Sequence, residues 1–155
     1  MTIHTGGCQC GAIRFRVEKL GRASLCHCRM CQKASGSIGG AFVTAHGVTW
    51  TRGQLAHFNS SADVRRGFCG DCGTPLTFEF KSIDISIAAF DRAAEISPAI
   101  QMERAERLPW VDAIAELPLH PEVERDAVAR RLSTVVSRQH PDHDTDAWPP
   151  AKPTR

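Results

Sequence analysis

The stretch RGFCGDCGTPLTF (residues 66–78) contains the pattern that decides how this chain folds. Two residues separate Cys69 from Cys72, and Gly73 follows, which is the usual spacing of a zinc knuckle. In such a knuckle a tight turn points both sulfurs at one metal ion, and the glycine tolerates the positive φ that the turn requires. We call Cys69 and Cys72 the last pair.

Two further cysteine-containing stretches precede the last pair. In GGCQCGAIRF (residues 6–15), Cys8 and Cys10 (the first pair) flank one residue, and an extended backbone places both side chains on one face. In CHCRMCQKASGS (residues 26–37), three cysteines form the compact group that we call the trio: Cys26, Cys28 and Cys31. The same alternation sends His27 to the side opposite Cys26 and Cys28.

The chain contains seven cysteines, and an odd number cannot all pair as disulfides within one chain. Their spacing allows two partitions into metal sites. One builds a zinc ribbon from Cys28, Cys31 and the last pair, and leaves Cys26 and the first pair unused. The other joins the first and last pairs into a closed, structural four-thiolate site and leaves the trio with an open coordination position, which is the catalytic arrangement. The second partition uses every cysteine and is physically preferable.

Composition excludes several classes of protein. The chain has 155 residues, 42% of them hydrophobic and 23% charged, which is typical of one soluble globular domain. The 19 Lys and Arg nearly balance the 17 Asp and Glu, which argues against a nucleic-acid or membrane-surface protein. No apolar run approaches the ~18 residues of a membrane span, and the N-terminal MTIHTGG does not look like a signal peptide. We therefore expect a cytoplasmic location, where clustered thiols bind metal more often than they form disulfides.

Short, closely spaced strand patterns fill the first ~105 residues and predict a mainly β, antiparallel domain. Two alternating segments, Leu76–Phe80 and Ile83–Ile87, predict a hairpin that turns around Lys81–Ser82. Further strands are predicted at Ala12–Glu18, Ala41–Thr44, Gly47–Thr51, Gln54–Phe58, Val64–Phe68 and Ala99–Glu103. Between the first two of these, the Gly- and Ser-rich segment 26–40 is predicted to be a loop.

The chain changes character after Pro118. Residues Pro121–Ser137 are predicted to form an amphipathic helix, with an apolar stripe from Val123 to Val136 that covers the core or forms a dimer face. From Gln139 the chain is rich in Pro and Asp, which predicts a disordered tail. The expected organisation is a zinc domain over residues 1–118, a C-terminal helix over 119–138 and a tail over 139–155.

The three cysteine stretches, together with the later W-x₆-LP pattern from Trp110 to Pro118, resemble the glutathione-dependent formaldehyde-activating enzyme family, which also includes centromere protein V-like members. The resemblance covers about residues 5–118 and all seven cysteines at the family's relative spacing. It implies a β-tent of short antiparallel strands organised around a four-cysteine zinc site, with a C-terminal helix. It places that structural zinc at Cys8, Cys10, Cys69 and Cys72, and a second, catalytic zinc at Cys26, Cys28 and Cys31.

The activity that the resemblance implies is a carbon–sulfur lyase reaction in which glutathione thiolate adds to formaldehyde or a related small carbonyl. The expected cofactors are one structural zinc and one labile catalytic zinc, with glutathione as co-substrate. The expected partners are a small thiol and a carbonyl compound, with no nucleic acid and no membrane, and the helix stripe is a candidate homodimer face. The alternative is a non-enzymatic zinc module that binds a protein partner. Methionine sulfoxide reduction fits poorly because it needs a free cysteine, and the metal sites use all seven.

Other side chains carry weaker signals. His27 lies beside the trio, where it could shuttle a proton or simply face solvent. Lys33, Ser35 and Arg66 could meet glutathione carboxylates, although solvated positions are commoner for such residues. Asp71 is expected to have a structural role in the turn that contains it. Both His46 and His57 are expected to pack or to face solvent rather than to bind metal.

Overall fold

A computed structural model describes residues 2–148 of the chain. Its strands are β1 (His4–Gly7), β2 (Arg14–Cys26), β3 (Gly40–Arg52), β4 (Ala56–Asn59), β5 (Arg65–Phe68), β6 (Pro75–Glu79), β7 (Ile83–Ser86) and β8 (Ile100–Met102). They form one eight-stranded sheet in the order β1-β2-β3-β7-β6-β5-β4, with β8 paired to β2 outside this path. Every pairing is antiparallel except that of β8 with β2. The prediction of a mainly antiparallel β fold is confirmed.

The two longest strands, β2 and β3, form the centre of the sheet. They pair from Arg14, opposite Arg52, to Cys26, opposite Gly40. The other edge of β2 is shared by β1 near its start and by β8 near its end. Apolar side chains at alternate positions of β2 point into the core, where Phe15 meets Trp50 and Phe90 edge to face at centroid distances of 5.7 and 5.1 Å.

The predicted strands agree with the sheet in most places. The hairpin is confirmed: β6 and β7 pair antiparallel, with Phe78 opposite Asp84. The two segments predicted on either side of residue 46 instead form the single strand β3. The ladder continues through this point because Gly47 adopts a φ of 65°, which a glycine tolerates without ending the strand.

The predicted loop over residues 26–40 contains a helix, which corrects the prediction there. Helix α1 spans Arg29–Ser35. Cys28 caps its N-terminus, because the sulfur accepts a hydrogen bond of 3.3 Å from the backbone N–H of Cys31. Gly36 ends the helix with a left-handed φ of 63°. The helix has only seven residues, which is too short for an apolar periodicity that would predict it from the sequence.

The C-terminal helix, α2, spans Glu122–Leu132 and is shorter than predicted. It follows a series of 3-10 turns, the longest at Pro109–Glu116. No residue of α2 is buried, and Val123 and Leu132 are 83% and 62% exposed. The predicted apolar stripe therefore does not cover the core of this chain. Among the described residues, no helix has the length and apolar character that crossing a bilayer requires.

The predicted disordered tail is corrected over residues 139–148, which pack back on the sheet. His140 is buried, its backbone N–H donates to the carbonyl of Gln9 at 2.7 Å, and its ring meets Trp148 edge to face. Asp144 forms an ion pair with Arg14 at 2.6 Å. Residues 149–155 of the predicted tail lie outside the described part of the chain. The domain boundaries at residues 118 and 138 stay predictions.

A buried ion pair ties the start of β2 to the segment after β7. Arg14 is 3% exposed and donates to both carboxylate oxygens of Asp91, at 2.8 and 2.6 Å. Thr5 donates a further hydrogen bond to Asp91 at 2.6 Å. Burial alone raises the pKa of Asp91, but the hydrogen bonds from Arg14 and Thr5 outweigh it and hold the pKa below its ordinary value of 3.8.

We expect Asp91→Asn to lower the free energy of unfolding at pH 7 by about 3 kcal/mol, because the buried guanidinium of Arg14 loses its main carboxylate and keeps only Asp144. The contribution of a depressed carboxyl pKa is complete above the unfolded value of ~3.9 and is lost as the pH falls through the lower, folded value. The difference between wild type and variant should therefore shrink below pH ~4. Urea unfolding followed by tryptophan fluorescence measures both effects.

Asp112→Asn is the matched control, since it removes an exposed carboxylate that pairs with Arg107. It should change stability by less than about 0.5 kcal/mol. Equal stability of Asp91→Asn and wild type at pH 7 would show that this ion pair does not hold the segment in place.

Candidate metal centre

Two turns far apart in sequence bring four cysteines together. The first pair lies in the turn between β1 and β2, and the last pair in the turn between β5 and β6. The four sulfurs all lie within 4.8 Å of one another. Cys10 is 3.6 Å from Cys8 and 3.8 Å from Cys69, sulfur to sulfur. The sequence prediction that joined these pairs rather than building a zinc ribbon matches this four-cysteine cluster.

Hydrogen bonds hold the two turns in place, and some of their donors lie next to the sulfurs. The N–H of Ile13 donates to the Cys8 sulfur at 3.2 Å, and the Thr74 hydroxyl lies 3.1 Å from the Cys72 sulfur. Gly73 adopts a φ of 77° and donates its N–H to the carbonyl of Cys69 at 2.9 Å. This is the knuckle turn that the spacing predicted, and donors around the sulfurs are the partners that stabilise metal-bound thiolates.

The thiols of the four-cysteine cluster ionise unequally when no cation is present. Burial, with sulfur–sulfur contacts inside the cluster, raises the pKa of Cys10 to about 12. Burial also disfavours the Cys72 thiolate, but hydrogen bonds from Thr74 and from Cys10 outweigh it and lower the pKa to about 6. A divalent cation must therefore displace the proton of Cys10, and its affinity should rise with pH.

The trio forms a second cluster at the opposite end of β2. Cys26 is the last residue of that strand, Cys28 caps α1, and Cys31 lies in its first turn. The three sulfurs lie within 4.8 Å of one another, with Cys31 buried and the other two partly exposed. Burial and the charge of neighbouring Cys31 raise the pKa of Cys26 to about 12. Burial raises the pKa of Cys31 as well, although Arg66 opposes the shift.

The donor sets of both clusters fit zinc, which favours thiolate sulfur and four-coordinate geometry. The four-cysteine cluster supplies a complete tetrahedral set from protein alone. The trio supplies three sulfurs, so a metal ion there keeps one position for an outside ligand. The number of donors at each cluster therefore separates a closed, structural type of site from an open, reactive type.

A cavity of about 620 Å³ reaches Arg66, which contacts the trio, although none of the three cysteines lines it. Its walls come from the C-terminal end of α1, the start of β3, and strands β5 and β6. Three phenylalanines, Phe42, Phe58 and Phe68, line it, and Arg66 is its one charged lining residue. Arg66 also donates from Nη2 to the Cys31 sulfur at 3.3 Å, so the cavity and the trio meet at this guanidinium. The arrangement offers a mostly apolar space with one cation beside three thiols.

Two of the weaker sequence predictions need correction. Arg66, expected to be solvated, is 5% exposed, and it is Arg65 that faces solvent and pairs with Glu79. His27 is 1% exposed and lies 3.0 Å from the Gln101 side chain through Nε2, with no partner at Nδ1 among the described residues. A surface position for His27 is thus excluded.

The remaining candidates, except Ser35, lie where the sequence suggested. Lys33, Asp71 and His46 are exposed, and Ser35 is half-buried at the cavity wall, where its hydroxyl donates to the carbonyls of Cys31 and Gly39. His57 is exposed on β4 and contacts Glu79 at 3.1 Å. Neither His46 nor His57 belongs to a cluster of potential metal ligands within the described residues.

The C-terminal segment reaches the four-cysteine cluster, which the sequence did not indicate. The indole N–H of Trp148 donates to the carbonyl of Cys10, and a side chain at Gly11 would collide with Trp148 and His140. Gly11 also needs its positive φ of 75° to form the first turn. Residues 140–148 thus cover one side of the turn that carries the first pair.

Comparison with known proteins gives a family and a fold. The family model described as "Glutathione-dependent formaldehyde-activating enzyme" matches residues 3–103, more than half of the chain. No curated protein matches. A crystal structure of a Rhodobacter sphaeroides protein, a structural genomics target, is similar with a TM-score of 0.53 and 20% identity. The match covers 63% of this chain and 99% of that one, and at this identity it supports the fold alone.

The two clusters predict different results for single cysteine substitutions. Cys69→Ser should abolish soluble, folded protein, because a structural zinc contributes an apparent ~10–16 kcal/mol, comparable with the stability of a whole domain. Cys28→Ser should stay soluble and folded, because the four-cysteine cluster is intact. The soluble yield of each variant measures this, followed by circular dichroism and size-exclusion chromatography of any soluble protein recovered. A Cys69→Ser protein as stable as wild type would remove the structural role from that cluster.

Proposed function

Because the chain belongs to the glutathione-dependent formaldehyde-activating enzyme family, we propose that it is a zinc-dependent carbon–sulfur lyase acting on a small carbonyl and a thiol, in the manner of an S-hydroxymethylglutathione synthase. The observation that carries the proposal is the trio: three clustered sulfurs linked through Arg66 to a cavity of about 620 Å³. Glutathione and formaldehyde are the substrates that the family description suggests.

In the reaction proposed, the sulfur of the thiol forms a bond to the carbonyl carbon while the carbon–oxygen π bond opens. The proton lost by the thiol ends on the former carbonyl oxygen. The product is a hemithioacetal, and nothing is oxidised or reduced. The reverse reaction breaks the same carbon–sulfur bond. Zinc at the trio would supply the means to keep a thiol deprotonated at neutral pH.

Each residue around the trio has a defined part in this proposal. Cys26, Cys28 and Cys31 hold the metal and leave one position for the substrate. The short helix α1 fixes two of the three sulfurs, since Cys28 is its cap and Cys31 its first-turn residue. The phenylalanines give the cavity a mostly apolar wall, against which a small carbonyl compound would lie.

A non-enzymatic module that binds a protein partner is the second candidate. The observation in its favour is the run of exposed apolar side chains around α2, among them Leu119 at 83% and Val136 at 87% exposure. The same surface is where we propose that a homodimer would form. In either case we propose a cytoplasmic protein, because a reducing compartment keeps the seven thiols available for metal.

The enzyme proposal predicts that the zinc-loaded wild type accelerates exchange between free formaldehyde and S-hydroxymethylglutathione in proportion to its concentration. Cys28→Ser should return the exchange rate to the uncatalysed value, because the trio loses a ligand while the fold remains. Two-dimensional exchange NMR at equilibrium measures this rate directly.

Met30→Leu is the matched control, since it changes an exposed residue of the same helix without touching a sulfur ligand. It should keep the wild-type rate. Exchange no faster with wild type than without protein, for glutathione and for smaller thiols alike, would favour the binding module instead.

A further inference from the structure

Among residues 2–148, two arginines are buried, and their surroundings differ. Arg14, 3% exposed, contacts two carboxylates, Asp91 and Asp144. Arg66, 5% exposed on β5, has no carboxylate within ion-pair distance anywhere in residues 2–148. A guanidinium does not lose its proton in proteins, and burying it without an opposite charge is unfavourable. The fold therefore holds a cation whose counter-charge is not a carboxylate of the described chain.

The hydrogen bonds of Arg66 lead to the trio. Nε donates to the hydroxyl of Ser60 at 2.9 Å, and Nη2 donates to the sulfur of Cys31 at 3.3 Å. The guanidinium lies over the ring of Phe78, with 5.0 Å from Cζ to the centroid, and 6.0 Å from that of Phe42. These contacts fix its plane and its direction toward the sulfur.

Arg66 lacks a negative partner, and the trio would carry a negative charge once it held a metal ion. Three thiolates around one divalent cation leave a net charge of minus one, which in a poorly solvated setting also needs an opposite partner. We propose that Arg66 is the charge partner of the metal–trithiolate group, a positioning residue that holds Cys31 and offsets the excess negative charge. This inference rests on the proposed function, because it requires a metal ion at the trio.

The position of Arg66 has a consequence for the substrate. Arg66 lines the cavity while contacting Cys31, so it lies between the trio and the space for the carbonyl compound. A trio balanced by Arg66 can accept an incoming thiolate with less charge repulsion than an unbalanced one. Loss of Arg66 should therefore weaken both metal binding at the trio and thiolate binding to the loaded site.

The experiment compares Arg66→Met, which keeps volume and removes charge, with Arg66→Lys, which keeps charge and loses the planar fork. Arg65→Met is the matched control, because Arg65 is its neighbour on the same strand but faces solvent. Each purified protein is titrated with Zn²⁺ against a chromophoric chelator to give two dissociation constants. Absorption of the Co²⁺-substituted proteins, which reports thiolate ligation, is recorded in parallel.

We expect Arg66→Met to weaken the second zinc by about 10- to 100-fold, the usual effect of removing an outer partner of a metal ligand, while the first zinc is unchanged. Arg66→Lys should recover part of the loss, and Arg65→Met should match wild type. Arg66→Met should also shift the thiolate-to-Co²⁺ absorption of the second site. If Arg66→Met does not fold, Arg66→Gln makes the same comparison.

Two results would overturn the inference, and they are distinguishable. A second zinc bound as tightly by the neutral variants as by wild type removes the role of Arg66 but leaves the proposed function standing. A wild type that binds one zinc only, with no second site to weaken, removes the metal at the trio and therefore both proposals together.

Discussion

The meeting of two distant turns at one four-cysteine cluster is the constraint on which the rest of the structure depends. The β1–β2 turn and the β5–β6 turn are four strand spacings apart in the sheet order, a separation of roughly 19 Å in a flat sheet. Their sulfurs nevertheless lie within 4.8 Å of one another. The sheet must therefore curl until its two sides meet at this cluster. That curvature encloses the core around Phe15 and sets the trio at the other end of β2.

The same constraint explains why the two cysteine clusters differ in kind. The four-cysteine cluster draws its sulfurs from two distant turns, so a metal ion held by all four would have no position left for a substrate. The trio comes from the end of one strand and one short helix, so it does not join distant parts of the sheet. It offers three sulfurs, and a metal ion there would need a fourth ligand from outside. A buried guanidinium contacts Cys31, and a cavity with aromatic walls reaches the same arginine. Arg14, the other buried arginine, instead pairs with carboxylates and joins segments of the chain.

Much of this could be predicted from the sequence, because cysteine spacing and strand alternation are local signals. The knuckle at Cys69–Cys72 and the hairpin of β6 and β7 are read from neighbouring residues alone. Arg66 could not be separated from Arg65, since only the strand register decides which of two adjacent side chains is buried. The short helix α1 lacks the length for a periodic pattern, and it depends on the sulfur of Cys28 as a cap. The packing of residues 140–148 depends on distant partners such as Gln9 and Arg14. Local composition therefore predicted disorder where the segment packs on the sheet.

The seven cysteines divide into a cluster of four and a cluster of three, which we propose are a closed and an open metal site. Native mass spectrometry of the reduced, zinc-loaded protein, recorded with and without millimolar glutathione, tests this division most directly. We predict two zinc ions per chain, with glutathione bound to or displacing only one of them. One zinc per chain, unaffected by glutathione, would contradict it and leave the four-cysteine cluster as the sole metal site of the protein.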